Sequence, residues 1–114
     1  MYKRQQLQQV FLNLISNAID AIGKEGLIVV KSMRAGDEIQ VSVADNGPGI
    51  PEEMQRRVFD PFFTTKTSGK GTGLGLWVSY SIVEKMGGTI ELSSNVGEGS
   101  VFTVKIPVVL PEKK

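Results

Sequence analysis

The chain has 114 residues, 40% of them hydrophobic and 22% charged, and a formal net charge of +1. That is enough for one domain with one core, and it gives no global field directed at nucleic acid or an anionic membrane. There is no cysteine and no histidine, which excludes disulfides, thiolate or imidazole metal sites and any Ser-His-Asp triad. No apolar run reaches the length of a membrane span, and the start, MYKRQQLQQ, lacks the form of a signal peptide, so a soluble chain is expected.

Residues 5–22 carry Leu7, Val10, Phe11, Leu14, Ile15, Ala18 and Ile22 at helical spacing, and Gly23 ends the run. Residues 27–33 (LIVVKSM) read as a strand, residues 35–38 as a turn, and residues 39–44 (IQVSVA) as a strand with one buried face. That strand runs into DNGPG at residues 45–49, where regular structure should stop. Pro51, Glu52 and Glu53 open a short helix, with acids in the first turn as the helix dipole prefers. FDPFF follows at residues 59–63, then a polar, small and basic loop at residues 64–71. A helix is expected over residues 72–86, ended by Gly87 and Gly88. Residues 89–94 and 100–108 make two strands joined by a turn at 95–99, and residues 111–114 read as a frayed tail. No internal repeat and no second domain is visible, so residues 1–114 read as one domain. The order helix, hairpin, helices, hairpin predicts an α+β two-layer sandwich: a mixed, mostly antiparallel sheet with helices packed on one face.

Three stretches are chemically unusual. On the first helix, at roughly 100° per residue, Gln6, Gln9, Asn13, Asn17 and Asp20 form one narrow stripe. Asparagine is a poor helix former, because its amide competes for backbone hydrogen bonds. Most polar stripes are merely solvated, but those are usually made of Glu, Lys and Arg. Asn13, Asn17 and Asp20 instead present hard oxygens one turn apart, which Mg²⁺ accepts together with waters and phosphates. In DNGPG, Asp45 stands at a strand end, where a carboxylate can accept a hydrogen bond from an exocyclic amine. Gly47 and Gly49 would let a flat ring approach the backbone, although most such sequences are only turns. The third stretch is GKGTGLGL at residues 69–76. It is neither a P-loop nor a dinucleotide fingerprint, since Gly71 follows Lys70 and leucines stand at positions 74 and 76. A glycine run entering a helix start suits phosphate, with Lys66 and Lys70 adding charge; the competing reading is a flexible lid without a ligand.

Taken together, these stretches resemble the ATP-binding catalytic domain of bacterial sensor histidine kinases, in the superfamily shared with type II topoisomerases, heat-shock chaperones and mismatch-repair proteins. QVFLNLISNAIDAI at residues 9–22 is similar to the asparagine box, DNGPG to the first glycine box, FDPFF to the phenylalanine box, and GTGLGL at residues 71–76 to the second glycine box. The four occur in the family's order and cover nearly the whole chain. The resemblance implies a Bergerat-type fold and the cofactors ATP and Mg²⁺. It implies that Asn17 is a Mg²⁺ ligand, with Asn13 close to the metal and phosphates, both acting in the transfer. Asp45 would read adenine, framed by Gly47 and Gly49, with Ser100 assisting through water. Residues 51–70, including Lys66 and Lys70, would form an ATP lid, and Gly71, Thr72, Gly73, Leu74 and Gly75 would lie against the phosphates. The glycine run would then serve as both phosphate seat and lid hinge.

Two departures stand out. Asp20 occupies a position where many of these kinases carry lysine. Asn13 stands where hydrolytic relatives carry a glutamate thought to activate water, and a neutral amide cannot take that proton. ATP binding without rapid hydrolysis is therefore expected. With no histidine, the chain cannot phosphorylate itself. It would be an excised piece, lacking a strand or two usual before the first helix, that donates phosphate to a histidine on the parent's dimerisation domain, with a response regulator downstream. The resemblance implies a cytoplasmic location and a monomeric fragment of a homodimeric parent, with no nucleic acid partner; membrane attachment of the parent is left open. A serine kinase of the anti-sigma-factor type, or a nucleotide-binding module without transfer activity, would share the boxes. Phe59, Phe62 and Phe63 compete between core packing and lid anchoring, and Trp77 reads as packing.

Overall fold

The computed structural model describes residues 2–23, 25–60 and 75–107. Helix α1 spans Tyr2–Ile22, starting ahead of the apolar period because Lys3 and Arg4 are good helix formers and nothing there breaks the turn. Gly23 closes it in the left-handed region (φ 67°), its N–H donating to the Ile19 carbonyl at 3.2 Å. Strands β1 (Ile28–Ala35) and β2 (Glu38–Asp45) form a hairpin whose two-residue loop contains Gly36 at φ 63°. The short helix α2 covers Glu52–Gln55, behind Pro51. Helix α3 is described over Gly75–Lys85; the three residues expected to precede it lie outside the described residues. It ends in a Schellman motif, with Gly88 N–H donating to the Val83 carbonyl and Gly87 N–H to the Glu84 carbonyl, both at 3.0 Å. Strands β3 (Thr89–Asn95) and β4 (Gly99–Pro107) complete the sheet.

The strand order is β1-β2-β4-β3. Every pair is antiparallel, so the expected parallel element has no counterpart among the described residues. Side chains alternate across the sheet. Val43, Phe102, Val104 and Ile90 point to one face, where they meet Val10, Leu14 and Ala18 of α1 and Val83 of α3 in a single core. Val10, Leu14 and Ala18 sit four residues apart, and all three are buried. Helices α1 and α3 pack on each other, α1 also on β2 and α3 on β3. The cover thins over β1, one of the two edge strands, where Val30, paired with Val43 on the helix-bearing face, stays exposed. Phe59 is half-buried, with its ring centroid 6.0 Å from that of Phe102 in an edge-on arrangement and 5.5 Å from that of Tyr80. It is therefore a packing residue on the core; Phe62 and Phe63 lie outside the described residues.

Candidate functional site

Asp45 is the last residue of β2 and is buried at 8% exposure. Its Oδ1 accepts the Gly47 N–H at 2.9 Å, the side chain folding back onto its own backbone two residues on. The loop that follows is pinned from two sides. A Cβ at Gly47 would come within 2.8 Å of the Ala21 carbonyl oxygen, so DNGPG lies directly against the last turn of α1. Gly49 has φ 81°, and a Cβ there would overlap the Asn95 carbonyl, at the start of the β3–β4 turn. These close approaches to neighbouring backbone account for both glycines within the fold itself. Gly97 N–H donates to the Pro48 carbonyl at 2.7 Å and fastens the same turn to the loop. Asn46 holds the other flank: its Oδ1 accepts the Leu27 N–H at 2.8 Å.

Residues beyond the motifs complete this end. Gln55 of α2 donates through Nε2 to the Ile50 carbonyl at 2.8 Å and the Ser94 carbonyl at 3.1 Å, tying the start of the expected lid to β3. Ser94 Oγ accepts the Ile50 N–H at 2.8 Å and lies 2.8 Å from Ser100 Oγ. Ser100 is buried and is the cross-strand partner of both Asp45 and Ser94.

The two asparagines of α1 have different surroundings. Asn13 Oδ1 accepts from Gln9 Nε2 at 2.9 Å, and its Nδ2 donates to Ser79 Oγ on α3 at 3.2 Å. Ser79 is fully buried, so this bond links α1 to the helix that follows the glycine run. The side chain of Asn17, one turn on and half-buried, makes no hydrogen bond to any described residue. Asp20 is exposed on the same helix. Among the described residues no group of three His, Cys, Asp or Glu side chains could hold a metal. A Mg²⁺ here would depend on the Asn17 amide oxygen together with phosphates and waters, a donor set of the hard oxygens this ion takes. Lys66, Lys70, Gly71, Thr72, Gly73 and Leu74 lie outside the described residues, and Gly75 opens α3. A shallow depression of about 380 Å³ beside Asp37, Gly88 and Lys105 lies at the far end of the sheet and holds none of the predicted site residues.

Sequence reasoning missed Ser79, Ser94, Gln55 and the contact made by Gly99. The signal was present for the serines. Leu76, Ser79 and Val83 follow helical spacing and Ile90, Leu92 and Ser94 follow strand alternation, which puts a hydroxyl at a core-facing position in each. Gln55 and Gly99 carry no local signal, since their partners are distant in sequence.

Residues 2–110 match the family model described as histidine kinase-, DNA gyrase B- and HSP90-like ATPase. The chain belongs to this ATPase family. It is 47% identical over 108 residues to the sensor histidine kinase ZraS of Escherichia coli K12, a match covering 95% of this chain and 23% of that protein. It is 44% identical over 113 residues to the two-component sensor PprA of Pseudomonas aeruginosa, covering 93% of this chain and 12% of that protein. The chain thus spans about a quarter or less of these relatives. The catalytic domain of the histidine kinase ThkA in a nucleotide-free form superposes with a TM-score of 0.81 at 44% identity, covering 91% of this chain and 67% of that one. Full-length ShkA in complex with AMPPNP superposes with a TM-score of 0.80 at 30% identity, over 90% of this chain and 21% of that one. The α+β sandwich with helices on one face is the fold of histidine kinase catalytic domains in this ATPase family.

Proposed function

We propose that the chain is the ATP-binding catalytic part of a two-component sensor histidine kinase, binding Mg-ATP and donating its γ-phosphoryl group to a histidine carried elsewhere. The observation that carries this reading is convergence on α1. DNGPG packs against the last turn of α1, one turn beyond Asn17, while Ser79 of α3 binds Asn13. The DNGPG loop and the helix that follows the glycine run thereby both meet the helix that bears the two asparagines.

In this reading the Asp45 carboxylate accepts a hydrogen bond from the exocyclic amine of adenine. The amide oxygen of Asn17 holds Mg²⁺, which when bound neutralises phosphate charge. Lys66, Lys70 and the run Gly71, Thr72, Gly73, Leu74 and Gly75 receive the phosphates ahead of α3. Asn13 holds position rather than moving a proton, because a neutral amide engaged with Gln9 and Ser79 is no base. Positioning and charge neutralisation are the main demands of phosphoryl transfer. The chain contains no histidine, so the acceptor belongs to a dimerisation domain of the parent, a homodimer, and a response regulator receives the phosphate next. Residues 1–114 act as one domain, monomeric alone and cytoplasmic. No helix among the described residues is long and apolar enough to cross a membrane.

The test is a calorimetric titration of the folded chain with ADP, with and without Mg²⁺, beside Asp45→Asn. Saturable, Mg²⁺-dependent binding that Asp45→Asn removes is expected. A folded chain that fails to bind overturns the proposal. Adding a histidine-bearing dimerisation domain or candidate serine acceptors with labelled ATP then separates a histidine kinase from a serine kinase or a module without transfer.

A further inference from the structure

We propose that Ser94 sets nucleobase specificity at this site, as a positioning residue that fixes the Ser100 hydroxyl as an acceptor toward the base. The inference rests on the nucleotide reading above and adds to it the residue that determines which base edge is accepted.

Ser94 Oγ has three neighbours. The Ile50 N–H donates to it at 2.8 Å, the Gly99 carbonyl lies at 2.9 Å, and Ser100 Oγ lies at 2.8 Å. A hydroxyl has one proton and two lone pairs. The Ile50 N–H can only donate and the Gly99 carbonyl can only accept. All three contacts are hydrogen bonds in a single arrangement: Ser94 donates to Gly99, and Ser100 donates to Ser94. The Ser100 proton is then committed away from Asp45, and only its lone pairs are left for anything else.

The sheet register gives this arrangement its consequence. Ser94, Ser100 and Asp45 are successive cross-strand partners on β3, β4 and β2, so their side chains stand in one row on the face that bears the helices. Ser100 and Asp45 are both buried, at 5% and 8% exposure. An ionised carboxylate accepts only. The row therefore presents two neighbouring acceptors and no donor. At the C6 substituent an amine can give a proton to each member of the pair, whereas a carbonyl there sets a third acceptor against them and leaves hypoxanthine only its N1–H to donate. If Ser94 no longer takes the proton, Ser100 can rotate and donate, and the row loses its fixed polarity.

The experiment measures the affinities of the full chain for ADP and for inosine diphosphate, both with Mg²⁺, by calorimetry. The wild type should prefer ADP. Ser94→Ala should narrow the ADP-to-IDP ratio by about tenfold, the scale of one buried polar group left unpaired or newly paired. A purely structural loss would weaken both ligands alike and leave the ratio unchanged. Ser94→Thr should restore the ratio, and Ser94→Ala should leave it unmoved in a Ser100→Ala background. If Ser94→Ala does not fold, Ser94→Cys retains the shape with a weak acceptor and should narrow the ratio in the same direction. An unchanged ratio in either folded variant overturns the inference while the nucleotide site stands. No binding of ADP or IDP by the folded wild type overturns both.

Discussion

Gly97 lies in the β3–β4 turn and Gly99, two residues on, opens β4; both have positive φ, 86° and 122°. A composition-based argument would treat them alike, but the structure separates them. A Cβ on Gly97 meets nothing within 4 Å, whereas a Cβ on Gly99 overlaps the carbonyl oxygen of Asp45 and comes within 2.9 Å of Asn46 Cα. Gly97→Ala therefore carries only the left-handed penalty, about 1 kcal/mol. Gly99→Ala carries backbone strain of about 1–3 kcal/mol and an overlap that only backbone movement can relieve, itself about 1–3 kcal/mol. The gap between the variants should be about 1–5 kcal/mol, or about 5–25 °C in Tm at roughly 5 °C per kcal/mol for a domain of this size. Because the displaced group is the backbone of Asp45, Gly99→Ala should also lose ADP affinity at a temperature where both variants are folded, while Gly97→Ala retains it. Thermal unfolding followed by circular dichroism, then ADP calorimetry, checks both. Equal Tm values within about 2 °C, or equal ADP affinities, would refute the claim that Gly99 is present for its approach to the acid-bearing strand.

Further perturbations probe the rest of the frame. Phe102→Ala removes a fully buried ring against which Phe59 packs edge-on, and should lower unfolding free energy by about 3–5 kcal/mol in urea titration. Ser79→Ala leaves the Asn13 amide without its partner on α3, at about 1–3 kcal/mol in the same assay. Glu91→Gln removes the 3.3 Å pair with Lys105 on the open sheet face, yet the exposed setting predicts a change below about 1 kcal/mol. With Mg-ATP alone, the chain should show no phosphate release above background, since Asn13 cannot serve as a base. Steady release abolished by Asp45→Asn, read by a phosphate assay, would contradict that role.

Most of the fold was legible because its signals are periodic. The spacing of Val10, Leu14 and Ala18 marks the face of α1 that is buried, and the alternation of Val41, Val43 and Asp45 marks the inward face of β2. Asn17 and Asp45 stood out as candidates by the types of residue around them. What was not readable is what the loops touch. Gly47 and Gly49 suggest room for a ligand when read in sequence, but in the fold they also approach Ala21 and Asn95. The alignment of Ser100 with Asp45 arises from the register of β4 on β2, which alternation alone does not fix across separate hairpins. Exposure of β1 is likewise invisible in LIVVKSM, because burial depends on how far α1 and α3 reach across the sheet.

The described part of the site has two ends with opposite preparation. At the Asp45 end, the hydrogen bonds of Ser94 are fully committed, the loop is fastened by Gly97, and α2 is fastened by Gln55. At the other end Asn17 carries an amide with no partner among the described residues, on a helix otherwise held by the core. A preorganised recognition end loses little freedom when its ligand binds. An unpartnered, half-exposed amide costs little in solvent and becomes useful only when a cation or phosphate arrives. The base would therefore be selected by a wall that is already formed, and the phosphate end would be completed by the ligand itself. It follows that substitutions in the Ser94, Gly99 and Gln55 set should change nucleotide selectivity and fold stability together. Asn17→Ala should leave stability nearly unchanged and remove the Mg²⁺ dependence of binding. Loss of stability on Asn17→Ala comparable to that of Ser79→Ala would show that the two ends are not prepared differently after all.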